Sequence, residues 1–406
     1  MEAGQATAPR TTAGRRIPGW VAGLVPLLVL GAAIAAFVGL GAPGLERNGI
    51  PLEEIAVEQT VLRPGEIELA VRNDGPDPVQ IRQAIVNDAF VNFRQTSDEI
   101  GRLGASTVTI DYPWIEGQAY EVALVTATGG TATTAVDVAA ESPDAGVGFF
   151  GLMALLGIYV GVIPVAIGML WLPWLRQVDP RVMQFLLALT LGLLAFLGID
   201  ALLEGTDFAG QGSQAFGGAA LVFFGAAVAY LALVGVDARL RGRQTREQGE
   251  GAGPWRLAFL VALGIGLHNL GEGLAIGSSY AIGSLALGAT LVIGFALHNT
   301  TEGLAIVAPV AKGETAGGAQ RLRRLIGLGL LAGFPAVLGA WVGASAFNTS
   351  LAAFMFGLGA GAIVQVIVQI APSVRDSAGK LMHPLAVGGI LTGLMLMYAT
   401  GLLIPA

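Results

Sequence analysis

At 406 residues, 54% hydrophobic and 13% charged, the chain has a mean hydropathy of +0.68, which excludes an ordinary water-soluble protein. It contains no cysteine, so disulfides, thiolate metal sites and thiol chemistry are excluded as well. The formal net charge is −7, and the 60 glycines suit helices that must approach one another closely.

Nine apolar runs reach membrane-spanning length: 17–40, 147–171, 182–203, 215–236, 257–276, 282–310, 325–346, 351–370 and 384–404. The first follows Arg10, Arg15 and Arg16. Its apolar stretch exceeds the about 7–15 residues of a cleaved leader's core, so it reads as a retained anchor. Residues 1–43 thus form a tail and a first transmembrane helix, and 146–406 form a block of eight helices. The expected fold class is an all-α polytopic membrane protein with one small all-β domain between the first helix and the other eight.

That domain, 44–145, changes character. The stretch "IAVEQTVLRPGEIELAVRNDGPDPVQI" alternates apolar and polar residues and is punctuated by Pro-Gly and Asn-Asp-Gly-Pro, which are strand and turn signals. A β-sandwich of cupredoxin-like or immunoglobulin-like form is expected. The stretch resembles the opening strands of cupredoxin-like domains, but Val79 stands where a copper-ligating His would be. The domain also lacks His, Met and Cys, so a copper centre is excluded. It carries 17 acidic residues against six arginines. This charge either raises the local cation concentration or is the solvated surface of a packing module.

Positive charge orients the helices. With a cytoplasmic N-terminus, 16 of the 22 Lys and Arg residues fall in the tail and four later loops on one side, and the other six all belong to the β domain. The expected location is a cell membrane, plasma or inner, with the β domain and the C-terminus extracytoplasmic.

"LHNLGEGLAI" at 267–276 returns as "LHNTTEGLAI" at 297–306. On helices, His268 and Glu272 project from one face, as do His298 and Glu302, because i and i+4 are neighbours. Counted at 1.5 Å per residue from the flanking Arg256 and Lys312, the four lie at similar depth. A short loop, "GSSYAIGS", folds the two helices into a hairpin on which the faces converge. A charged carboxylate at such depth costs about 2.5–3.5 kcal/mol, and a divalent cation offsets that cost by neutralising the pair. Imidazole nitrogens suit zinc, and Asn269 and Asn299 add carbonyl oxygens.

These paired motifs resemble the fourth- and fifth-helix motifs of the ZIP (Zrt/Irt-like protein) family of divalent-metal transporters, in the form typical of bacterial zinc-uptake members. The resemblance covers about 145–406. It implies an eight-helix bundle with inverted repeats, and transport of zinc, or of iron or manganese, into the cytoplasm by alternating access. It places His268, Glu272 and Glu302, with His298 nearby, on a primary site. Asn269 and Asn299, sharing Glu272 and Glu302, fall on the second site of a binuclear centre. "DALLEG" resembles the family's second-helix motif and implies that Asp200 and Glu204 line an entrance, although Glu204 is also placed as an ordinary carboxylate at a helix end. Departures are Ala336 and Gln369, where the family pattern carries carboxylates, and Gly271 and Thr301 at the two motif prolines.

The metal is expected as transported substrate and not as a catalytic cofactor, and the chain is not read as an enzyme. A zinc hydrolase of the His-Glu-x-x-His type needs two His on one helix, and no helix here carries them. A membrane metal sensor without net transport is the main alternative. Expected partners are the cation and lipid; nucleic acid is not one, and a homodimer is left open. His383, before Pro384 at a helix start, is read as structural.

Overall fold

The structure is a computed structural model that describes residues 19–40, 51–136, 138–142, 146–214, 217–247, 252–281, 285–311, 318–345, 349–376 and 378–402. The chain divides into two units, Met1–Pro51 and Leu52–Ala406. In the first, α1 (Gly19–Gly39) is one apolar helix with Pro26 inside it. Its residues 24–37 are apolar or small and exposed.

The second unit begins with eight strands: β1 (Ile55–Arg63), β2 (Glu66–Asn73), β3 (Ile81–Val86), β4 (Ala89–Val91), β5 (Phe93–Gln95), β6 (Ala105–Asp111), β7 (Tyr120–Thr126) and β8 (Thr131–Val136). They form two four-stranded antiparallel sheets, ordered β1-β2-β6-β5 and β4-β3-β7-β8. The period of two decides what is buried: Ile67, Leu69 and Val71 of β2 and Tyr120, Val122 and Leu124 of β7 face one shared core. The Pro-Gly signal becomes the β1–β2 turn, with Gly65 at φ 79°, and Asn87 and Asp88 take positive φ in the two-residue β3–β4 hairpin. Val79 is fully buried and bridges to Ile100.

The helical block follows as α2 (Val147–Gly157), a π turn at Ile158–Val162, α3 (Ile163–Met169), α4 (Leu172–Leu175), α5 (Pro180–Gln211), α6 (Ala220–Glu247), α7 (Ala252–Ala281), α8 (Leu285–Val307), a 3₁₀ turn at Ala308–Val310, α9 (Gly318–Gly333), α10 (Pro335–Ser345), α11 (Thr349–Val374) and α12 (Pro384–Leu402). Among the described residues, six segments are long and apolar enough to cross a membrane: Val147–Leu175, Pro180–Gly210, Ala220–Gly242, Gly253–Tyr280, Gly318–Ser345 and Thr349–Val374. Two others of the expected runs fall on α8 and α12. Large apolar side chains such as Phe223, Phe224, Leu391 and Met395 stay exposed on the perimeter, as a lipid-facing surface requires.

Two sequence expectations need correction. The first five residues of "GSSYAIGS" are helix rather than loop: α7 continues to Ala281, and Ser278 and Ser279 satisfy their hydroxyls on the carbonyls of Ala275 and Ile276, one turn back. The last residues of the stretch, 282–284, lie outside the described residues. Nor is Glu204 a helix end: with no proline after it, α5 runs through Gly205 and Gly210 for about two turns further, to Gln211.

Packing is paired. α5 lies along α11 and α12, α6 along α11, α7 along α10 and α11, and α8 along α3 and α7. The glycine that follows each motif glutamate makes two of these contacts possible. A Cβ on Gly273 would overlap the carbonyl oxygen of Ala336 in α10, and one on Gly303 would overlap that of Val165 in α3. In lipid, where apolar burial gives no solvent-driven gain, such backbone approach is what holds helices together. Gly303→Val, and likewise Gly273→Val, is expected to lower stability by about 1–3 kcal/mol through overpacking, read as a drop in the melting temperature of the detergent-solubilised protein.

Candidate metal centre

Helix periodicity puts His268 and Glu272 on one face of α7 and His298 and Glu302 on one face of α8, and these two helices pack together. Glu272 is the hub. Its Oε1 lies 2.5 Å from His298 Nε2 and 3.1 Å from His268 Nε2, and the three ligand atoms fall within 4.8 Å of one another. The His298 contact is aligned as a hydrogen bond; His268 Nε2 is close but not so aligned, and has no hydrogen-bond partner. Glu272 is 1% exposed and the two imidazoles 6–7%.

The two asparagines have a job that spacing alone did not show. Asn299 Nδ2 donates to Glu272 Oε2 (2.9 Å) and to the carbonyl of Val160 (3.1 Å), inside the π turn. Asn269 Nδ2 donates to the carbonyl of Ala332 (3.0 Å), two residues before the break at Phe334 that separates α9 from α10. Each motif asparagine therefore ties its helix to the interrupted stretch of a neighbouring span. A carbonyl only accepts, so the nitrogen side of each amide must face it, which fixes both orientations. What remains is two fully buried Oδ1 atoms without a hydrogen-bond partner.

Glu302 adds to that surplus. It is 2% exposed, and neither carboxylate oxygen has a hydrogen-bond partner. The buried interior thus offers two imidazoles, one carboxylate already gathered by them, a second carboxylate and two amide oxygens. Buried acceptors left unmet cost about 1–3 kcal/mol each, more when charged, and a cation satisfies several at once. Two nitrogen donors with carboxylate oxygen match the ligand chemistry of zinc and of neighbouring transition metals.

Of the eight residues expected from sequence, His268, Glu272 and His298 converge directly, and Asn299 joins them through Glu272. Asn269 and Glu302 are buried on the same two helices but outside the tight triad. Asp200 and Glu204 remain on α5 with exposed side chains; the charge of Asp200 lies within electrostatic reach of His268, His298 and Glu272, and that of Glu204 within reach of Asp200. Ala336 is fully buried where Gly273 crosses α10. Gln369 lines a separate cavity of about 590 Å³ between α6, α7 and α11. His383 sets Nε2 2.9 Å from the carbonyl of Val374, the last residue of α11, which is a structural cap.

Fold and site together define an α-helical membrane protein with a buried His–Glu–His cluster at the contact of two central helices. No protein-family model matches the chain, and no curated protein matches it. Among solved structures it is similar to the archaellum periplasmic stator protein FlaG from Sulfolobus acidocaldarius over 21% of this chain and 100% of that chain, at 14% identity and a TM-score of 0.20.

Because Asn299 serves both Val160 and Glu272, Asn299→Ala leaves two buried acceptors unmet. The expected loss is about 1–3 kcal/mol of stability, read by thermal unfolding, against a smaller loss for the exposed Thr392→Ala control.

Proposed function

We propose that the chain transports a divalent cation, zinc before iron or manganese, across a cell membrane into the cytoplasm by alternating access, as its resemblance to the ZIP family implies. The observation that carries this reading is the gathering of His268, His298 and Glu272 at the α7–α8 contact, beside buried acceptor oxygens of Glu302, Asn269 and Asn299 that lack partners. A structural polar cluster has no use for unmet acceptors; a site that a cation visits and leaves does.

The packing pattern supports the transport reading in a second way. Exchanging the spans before α7 with those after α8, so that α3 trades with α10, α5 with α11 and α6 with α12, maps α5–α12 onto α11–α6. The same exchange maps α7–α10 onto α8–α3 when α7 and α8 also trade places. The asparagine links obey it too: Asn299 reaches the interrupted α2–α3 span and Asn269 the interrupted α9–α10 span. Such internal pairing is what inverted repeats around a central site produce, and interrupted helices beside the site are common in transporters of this plan.

In this reading the N-terminus is cytoplasmic, the two β sheets form an extracytoplasmic sandwich, and eight spans from 146 to 406 form the transporter. His268, His298, Glu272 and Glu302 take the transported ion. Asn269 and Asn299 complete a second subsite, which lacks the carboxylates the family pattern would supply at Ala336 and Gln369. A metal sensor is the reading those two absences leave standing, and saturable binding without flux separates it from transport. No residue is assigned a catalytic role.

Radiolabelled zinc uptake into proteoliposomes tests the assignment. Glu272→Ala and Glu302→Ala are expected to reduce initial uptake at least tenfold, while the lipid-facing Leu391→Ala leaves it unchanged. Full uptake by both glutamate variants would refute the reading.

A further inference from the structure

Hydrogen bonds from Asp74 tie the β sheets to the helical block. Asp74, in the turn after β2, accepts from Ser213 Oγ (2.5 Å) and from the backbone N–H of Gln214 (2.6 Å), just past the end of α5. The turn that presents it is held firmly. Fully buried Asn73 donates to the carbonyls of Asp77 and Ile100 and accepts from Gly75 N–H, while the Asp74 N–H donates to the carbonyl of Glu54. On the other side, Gln214 Nε2 donates to the carbonyls of Ala209 and Gly212, which fixes the loop that meets it.

Between these parts lies a cavity of about 730 Å³. Its wall from the β sheets includes Glu54, Asp74 and Glu58, the last paired with Arg72; its wall from the helices includes Gly210, Gly212 and Thr349. Thr349 opens α11, is 5% exposed, and its Oγ1 has no hydrogen-bond partner. The cavity therefore has carboxylate oxygen on one side and an unmet buried hydroxyl oxygen on the other. Gly210 stands three residues beyond Asp207, and Asp200, Glu204 and Asp207 share one face of α5 at i, i+4 and i+7. The charges of Asp207 and Asp200 both act on Glu204, and that of Asp200 reaches His268. An acidic row thus runs from the cavity's edge toward the buried triad.

We propose that this cavity is a collecting vestibule for a hydrated divalent cation, with the β sheets, locked on by Asp74, as its outer acidic wall. The proposal rests on the transport reading and gives the acidic β region its role: it holds cations, loosely and through oxygen ligands, at the head of the row on α5. Asp74 is a positioning residue here, and Glu54 acts through its charge.

Because the chain has no cysteine, an Asp74→Cys, Ser213→Cys pair tests the docking cleanly in the full-length membrane protein. A disulfide is expected to form in high yield without added cross-linker; failure to form it overturns the vestibule. Calorimetric zinc titration of the full-length Glu272→Ala protein then reads the vestibule without any flux. Weak binding that Glu54→Gln lowers about threefold or more at low salt, and that high salt abolishes, supports the proposal. Absence of that binding, or indifference to Glu54→Gln, overturns it whether or not the wild type transports. In uptake by the otherwise wild-type protein, Glu54→Gln and Asp74→Asn are expected to raise KM about threefold at low salt with kcat unchanged. A fall in kcat with KM unchanged would overturn the proposal while leaving the transport reading intact.

Discussion

The structure turns on one carboxylate. Glu272 is almost fully buried, with His298 hydrogen-bonded and His268 close to one oxygen and Asn299 hydrogen-bonded to the other. A group of this kind is tolerated away from water only if its neighbours compensate it, and truncating any of those neighbours leaves a charge or a donor stranded. Its partners come from α7 and α8, and Asn299 passes the restraint on to the π turn of the preceding span. The position of the central hairpin, the shape of the interrupted helices and the form of the site are therefore one problem with one solution.

Glycine is the other half of that solution. Gly273 and Gly303 follow the motif glutamates directly, and each lets the backbone of α10 or α3 close against the ligand-bearing helix. The Glu-Gly pair thus couples chemistry to packing within two residues: the carboxylate faces the site while the bare Cα faces the neighbouring helix. Movement of the outer spans against α7 and α8 would be felt at the buried cluster through these contacts and through the Asn269 and Asn299 links.

Much of this was legible in the sequence because it is local. The i, i+4 spacing of His268 and Glu272 and of His298 and Glu302 sets their common faces, and the pairing of α7 with α8 brings three of the four together. Period-two alternation found the strands, and Pro64-Gly65 marked a real turn. What spacing could not give were links between distant segments. Asn299 meets Val160 139 residues away, and Asp74 meets Ser213 across the same separation. The glycine and serine of "GSSYAIGS" looked like loop residues, yet the serines bond to carbonyls one turn back and the helix continues. The repetition of "HN" in both motifs was the available hint of the asparagine anchors, and spacing alone read it only as a pair of ligands.

The most direct test of the central claim is X-ray absorption at the zinc edge on the purified, zinc-loaded protein. A nitrogen–oxygen shell containing two imidazoles at about 2.0–2.1 Å is expected, with one imidazole lost in His298→Ala. An all-oxygen shell, or a spectrum unaltered by His298→Ala, would contradict that claim.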